Sequence, residues 1–137
     1  MDPNHPRLDP STLLVRHLSS LVDHSVVTSA DAAMDPRGRP VTVVQTPNVT
    51  QNGARARWSF RVPVTITTFG ADPTAAYGSH AEVADGILAL TALDGGSVRV
   101  SSVTAVVEPE DVTSPTAPEW PAVFSTYTIF LRHERAT

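Results

Sequence analysis

The residues able to do chemistry are few, and none stands in a spacing that completes a reaction centre. His80-Ala81-Glu82 has the His-x-Glu form found in zinc deaminases, but those sites also need paired cysteines, and this chain has none. The absence of cysteine also removes disulfides, thiolate metal sites and thiol nucleophiles. The other histidines, His5, His17, His24 and His133, form no pair at the i, i+4 spacing of a helical metal site. His80 therefore reads as a helix-surface or half-buried histidine, with no metal and no cofactor expected. Glu108, Glu110 and Asp111 form a carboxylate cluster beside Pro109, but they lack the regular oxygen ligands and the turn glycine of a calcium loop. No Gly-x-Ser-x-Gly elbow, phosphate-binding glycine loop or dinucleotide fingerprint occurs, and no serine or threonine has a base partner in sequence. Asn48-Val49-Thr50 fits a glycosylation acceptor, which matters only in a secreted chain. The expectation is a protein that is not an enzyme.

Charge offers a second kind of chemistry. The net charge is −4, and all 10 basic residues are arginine. That balance does not suit a phosphate backbone, so sequence-specific nucleic-acid binding is not expected. Arg55, Arg57 and Arg61 share one parity in a strand-like stretch, without aromatic side chains interleaved on that face. Their ordinary role is solvated strand charge. The sharper reading pairs them with the acidic 108–111 segment across a protein–protein contact, since arginine makes bidentate bonds to carboxylates. Arg55, Arg57, Arg61, Glu108, Glu110, Asp111 and Trp120 are thus the candidate interface residues.

The elements that must position these residues follow from period and punctuation. With 137 residues, 41% hydrophobic and 18% charged, the chain has the composition of one globular domain. It is long enough to bury roughly two-thirds of its unfolded surface. Residues 1–8 read as a loose arm, 9–133 as the domain and 134–137 as a polar tail. Asp9-Pro10 starts a helix as N-cap and first-turn proline, with Leu14, Leu18, Leu21 and Val22 as its apolar stripe and an end near Asp23. Ser25 to Thr28 is a short strand, and 29–40 a turn-rich loop. Val41 to Thr46 leads through Asn52-Gly53, a strong hairpin signal, into a strand from Trp58. There Trp58, Phe60, Val62, Val64 and Ile66 alternate with Arg57, Ser59, Arg61, Thr65 and Thr67, predicting one buried face and one wet face. Pro63, on the outward set, lacks an amide donor and marks an edge or a bulge.

Asp72-Pro73 starts a second helix, with a stripe of Ala76, His80, Val83, Ile87 and Leu90 flanked by Tyr77, Ala84 and Leu88. Asp94-Gly95-Gly96 reads as its close. Val98 to Val107 is a strand whose inward parity changes near Ser101-Ser102, residues 108–121 are a proline- and acid-rich loop, and Ala122 to Leu131 is the last strand. The fold class expected is α+β: a mainly antiparallel sheet with two helices packed on one face. The apolar runs are too short to span a bilayer, and the first residues lack the order of a signal peptide, so a soluble protein made in a reducing cytoplasm is expected.

Taken together, these elements resemble a siphophage tail terminator, the small protein that caps the tail tube of long-tailed phages beneath the head. The resemblance covers roughly residues 9–133. It rests on Leu13-Leu14-Val15-Arg16-His17-Leu18, on Phe60-Arg61-Val62-Pro63-Val64-Thr65-Ile66-Thr67-Thr68-Phe69, on the helix start Asp72-Pro73, and on Val106-Val107-Glu108-Pro109 before an acidic loop. Trp120-Pro121-Ala122-Val123-Phe124-Ser125-Thr126-Tyr127-Thr128-Ile129 completes it. The lysine-free composition is similar to that of actinobacterial phage proteins. The resemblance implies a structural virion protein that forms a homohexameric ring at the head-proximal end of the tail. Its implied partners are the major tail tube protein and the head–tail connector, with DNA passing through the lumen. It implies no catalytic residue, no cofactor and no membrane partner. Two alternatives stand beside it: another neck or tail-completion protein of the same phage module, and a small α+β ligand-binding protein or enzyme. Genome position between connector and tail-protein genes separates the first; converging polar groups on the buried face would favour the second.

Overall fold

The computed structural model describes residues 10–28, 39–46, 50–51, 59–93, 96, 98–112 and 120–133. Helix α1 spans Pro10–Ser19 and helix α2 spans Pro73–Leu88. The strands are β1 (Ser25–Val27), β2 (Val41–Gln45), β3 (Thr50–Gln51), β4 (Ser59–Phe69), β5 (Ala92–Leu93), β6 (Val98–Val112) and β7 (Ala122–His133). They form one sheet in the order β1-β2-β4-β7-β6-β5, with β3 pairing β4. Only β1 and β2 run parallel; the other pairs are antiparallel. The class is α+β, as the sequence predicts.

The core follows the period-2 alternation of β4. Val62, Val64 and Ile66 are wholly buried, and Phe60 packs against the same cluster. Across the β4–β7 ladder they face Ile129, Tyr127 and Ser125 respectively. The helices close this face with Leu14 and Leu18 from α1 and Val83, Ala84 and Ile87 from α2. Trp58 and Arg57 lie outside the described residues, as do Asn52-Gly53, Asp9 and the two terminal segments. On the opposite face Arg61 is exposed and Pro63, Thr65 and Thr67 are half-buried. That face is not uniformly wet. Val43, Phe69 and Ala122 are buried there, with Val27, Val112 and Trp120 packed against them as a second, smaller apolar cluster.

Helix α2 has the start its sequence announces. The Asp72 carboxylate accepts a hydrogen bond from the Ala75 amide at 2.8 Å, and Pro73 occupies the first turn, where no donor is needed. Gly70 makes the approach possible, because a Cβ there would lie 2.7 Å from the Ala76 backbone nitrogen. The stripe Ala76, His80, Val83, Ile87 and Leu90 is buried, and Ala84 with it. Tyr77 and Leu88, expected beside the stripe, are about half exposed instead. The helix also ends at Leu88 rather than at Asp94-Gly95-Gly96. Leu90 turns into the core, β5 follows, and Gly96, at φ 98°, serves the turn between β5 and β6. Thus the glycine signal was real, but it belonged to a hairpin. Similarly, α1 ends before Asp23, at Ser19. Its last turn tightens, with Leu21 N–H donating to Leu18 C=O, which rotates Leu21 into solvent while Val22 stays against the core.

Strand β6 departs furthest from expectation. It continues through Val112, so Glu108, Glu110 and Asp111 lie on a strand and not in a loop. Register shifts between Val100 and Ser102, Ala105 and Val107, and Val107 and Glu110 let it do so. The last of these absorbs Pro109, which has no amide to give to a ladder. Past the β5 hairpin, no described strand covers the outer side of β6. Bulges, proline and charge are the usual guards of such an edge. The first shift falls at Ser101-Ser102, where the sequence predicts a change of inward parity.

Candidate functional site

The described interface candidates occupy opposite ends of one sheet. Arg61 is exposed on β4, across the ladder from Phe130 of β7. Phe130 in turn faces Ser102 of β6, whereas Glu110 faces Phe124. Phe124 and Phe130 are six residues apart on one strand, a separation of roughly 20 Å. The structure therefore does not bring Arg61 and Glu110 together within one protomer. Alternation puts both on the face that the helices leave open. Glu108 and Asp111 are exposed on β6 as well. Trp120 is half-buried and packs on the Val43, Phe69 and Ala122 cluster. Arg55 and Arg57 lie outside the described residues.

On the helix-covered face the structure assembles converging polar groups, of which the sequence singles out only His80. Such convergence is what a ligand-binding protein or enzyme would show, although it is sealed from solvent here. Thr42 of β2, Thr68 of β4, His80 of α2 and Ser125 of β7 are wholly buried, and His24, just before β1, nearly so. Each hydroxyl stands on the inward parity of its strand, and His80 stands on the apolar stripe of α2. Distances of 2.9 Å from His24 Nε2 to Thr42 Oγ1, 2.7 Å from Thr42 Oγ1 to Thr68 Oγ1 and 3.0 Å from Thr68 Oγ1 to His80 Nδ1 link them. His80 Nε2 lies 2.7 Å from Ser125 Oγ, which donates to Tyr127 OH at 3.0 Å.

The direction of every bond follows from that last one. Ser125 has one hydroxyl proton and gives it to Tyr127, so His80 Nε2 must be the donor to Ser125. A neutral His80 then accepts at Nδ1 from Thr68, Thr68 accepts from Thr42, and Thr42 accepts from His24 Nε2–H. Six side chains are joined in one chain of hydrogen bonds. No buried side-chain nitrogen or oxygen among the described residues lacks a partner.

The electrostatics agree with neutral rings. Burial lowers the His80 pKa to about 4, with the nearby His24 acting in the same direction. Burial also lowers that of His24, against the opposing pull of Glu82 and Asp23. The Tyr127 hydroxyl is pushed up, chiefly by burial, with Asp85 and Glu108 adding to the shift and the Ser125 bond opposing it.

Ser125 and His80 have the separation of a nucleophile and its base, but their roles are reversed: the imidazole donates, and the serine proton points to Tyr127. Both side chains have zero exposure, so no substrate reaches them in this conformation. The arrangement fastens β2, β4, β7 and α2 together. Among the described residues no group of three or more His, Asp or Glu side chains could hold a metal ion, and no helix is long and apolar enough to cross a membrane. No protein-family model matches this chain, and no curated protein matches its sequence.

Proposed function

We propose that this protein is a tail terminator of a long-tailed phage, a structural virion component that caps the tail tube and offers its other side to the head connector. The observation that carries the reading is the placement of opposite charges at opposite ends of the open sheet face, Arg61 at one and Glu110 at the other. A head-to-tail contact joins unlike surfaces, and repeated around a closed ring it brings the basic end of one subunit to the acidic end of the next. The guarded edge of β6 supports the same reading, since it discourages unregulated strand pairing before the ring forms. The ring is a hexamer, its partners are the tube protein and the connector, and the subunit performs no chemistry. In isolation the protein is monomeric, because an interface of ordinary size can need the tube end as a template.

The direct biochemical test adds the purified chain to tubes of the matching major tail protein and images them by negative stain. Density capping one end of each tube, with elongation stopped there, is the expected result. Binding along the walls, or none at all with elongation continuing, contradicts it.

A further inference from the structure

We propose that His24 and His80 form a two-site proton latch, in which the hydroxyls of Thr42 and Thr68 let one imidazolium exist inside the fold and resist a second. With both rings neutral, protons run from His24 Nε2 through Thr42 and Thr68 to His80 Nδ1. A proton added to His24 goes to its other ring nitrogen and leaves this order intact. A proton added to His80 turns Nδ1 into a donor, so both hydroxyls must reverse and His24 must present a lone pair at Nε2. When both rings are charged, both donate inward. One hydroxyl proton can then lie between Thr42 and Thr68, and the other has no acceptor left in the chain.

The charged and titratable groups around the latch set which ring takes the first proton. Asp23 and Glu82 favour a charge on His24; the Arg39 guanidinium, which donates to the Asp23 carbonyl at 3.1 Å, is the cation on that side and keeps its charge. Asp85 of α2 and Glu108 of β6 act on Tyr127, at the far end beyond Ser125. Strands β2 and β4 contribute only the two threonine hydroxyls to the chain. The first proton therefore settles on His24 without disturbing the packing. The second loosens the seam between the first half of α2 and strands β2, β4 and β7. The folded chain thus accepts its first proton without repacking and loosens when the second arrives.

The test reads ring nitrogens by long-range nitrogen–proton NMR in the full-length chain, with His24→Gln and Thr68→Val beside the wild type. At pH 7 the His80 proton should reside on Nε2, and His24 should titrate first. In His24→Gln, which keeps a donor for Thr42, the His80 midpoint should rise because its charged neighbour is gone. Thr68→Val should break the dependence of one ring's tautomer on the other. A His80 proton on Nδ1 at neutral pH overturns the proposal, and this measurement needs no variant. An unchanged His80 midpoint in folded His24→Gln also overturns it.

Discussion

His80 shows how a residue noted for one chemistry can serve another. Its position on the stripe of Ala76, Val83 and Ile87 was legible from helical spacing, but the expectation of a helix-surface or half-buried side chain fell short: His80 is wholly buried. Its partners were not legible. They come from positions separated from one another in sequence by 18, 26, 12 and 45 residues, and only the completed sheet brings them together. The cue available was a hydroxyl on the inward parity of each strand: Thr42 beside Val44, Thr68 beside Ile66, Ser125 beside Tyr127. Replacing His80 by Ala should destabilise the fold by about 2–4 kcal/mol, since it empties a buried volume and leaves two hydroxyls without their partner. Urea denaturation should report that loss as a lower midpoint with an unchanged slope. The pH dependence has a definite sign. The His80 pKa is about 4 in the folded chain, against 6.5 for an ordinary histidine, so the unfolded chain binds the proton first. Stability is complete above roughly pH 6.5 and is lost as the pH falls toward 4, by up to about 3 kcal/mol. His24 adds in the same direction. Urea midpoints at pH 7 and pH 5 should therefore differ in the wild type and much less in His80→Phe.

At the scale of elements, capping and alternation were readable, and breaks in regularity were not. Asp72-Pro73 marked the start of α2 to the residue. The inward set of β4 was correct at every described position. What failed were the places where a local signal had two possible owners. Gly96 suited a helix end or a hairpin, and the short strand β5 decided for the hairpin. Glu108-Pro109-Glu110-Asp111 suited a loop, yet a bulged edge strand accommodates proline and charge equally well. The parallel pairing of β1 with β2 left no mark in either segment, because the two β-branched residues of β1 and the four of β2 fit any pairing. Three substitutions probe α2, its start beside β4 and its contact with α1. Gly70→Ala puts a methyl against the Ala76 backbone, which cannot step aside as a side chain can, and should cost about 1–3 kcal/mol. Gly86→Ala meets only the tips of Leu18 and Leu21 and should cost much less. Asp72→Ala removes the bond to the Ala75 amide and should cost about 1 kcal/mol. Thermal or urea unfolding should find Gly70→Ala the most damaging, Asp72→Ala next and Gly86→Ala the mildest.

At the scale of the molecule, the described helices cover one face of the sheet and not the other, where Arg61 and Glu110 lie at opposite ends beside a small apolar cluster. The α+β class was readable from element order. The separation of Arg61 from Glu110 was not, because it depends on the β4–β7–β6 register. On the proposed function, the sealed face holds the subunit together and the open face meets its neighbours. Arg61→Glu should leave the unfolding midpoint within about 0.5 kcal/mol of wild type, as exposed substitutions do, yet weaken capping of tail tubes. Combining it with Glu110→Arg should restore part of the capping, since the swapped charges again face each other across a head-to-tail contact. The most direct measurement of the central claim is electron microscopy of particles made by a phage that lacks this gene. Overlong, headless tails beside filled heads are the predicted result, and tails of normal length attached to heads would contradict the account.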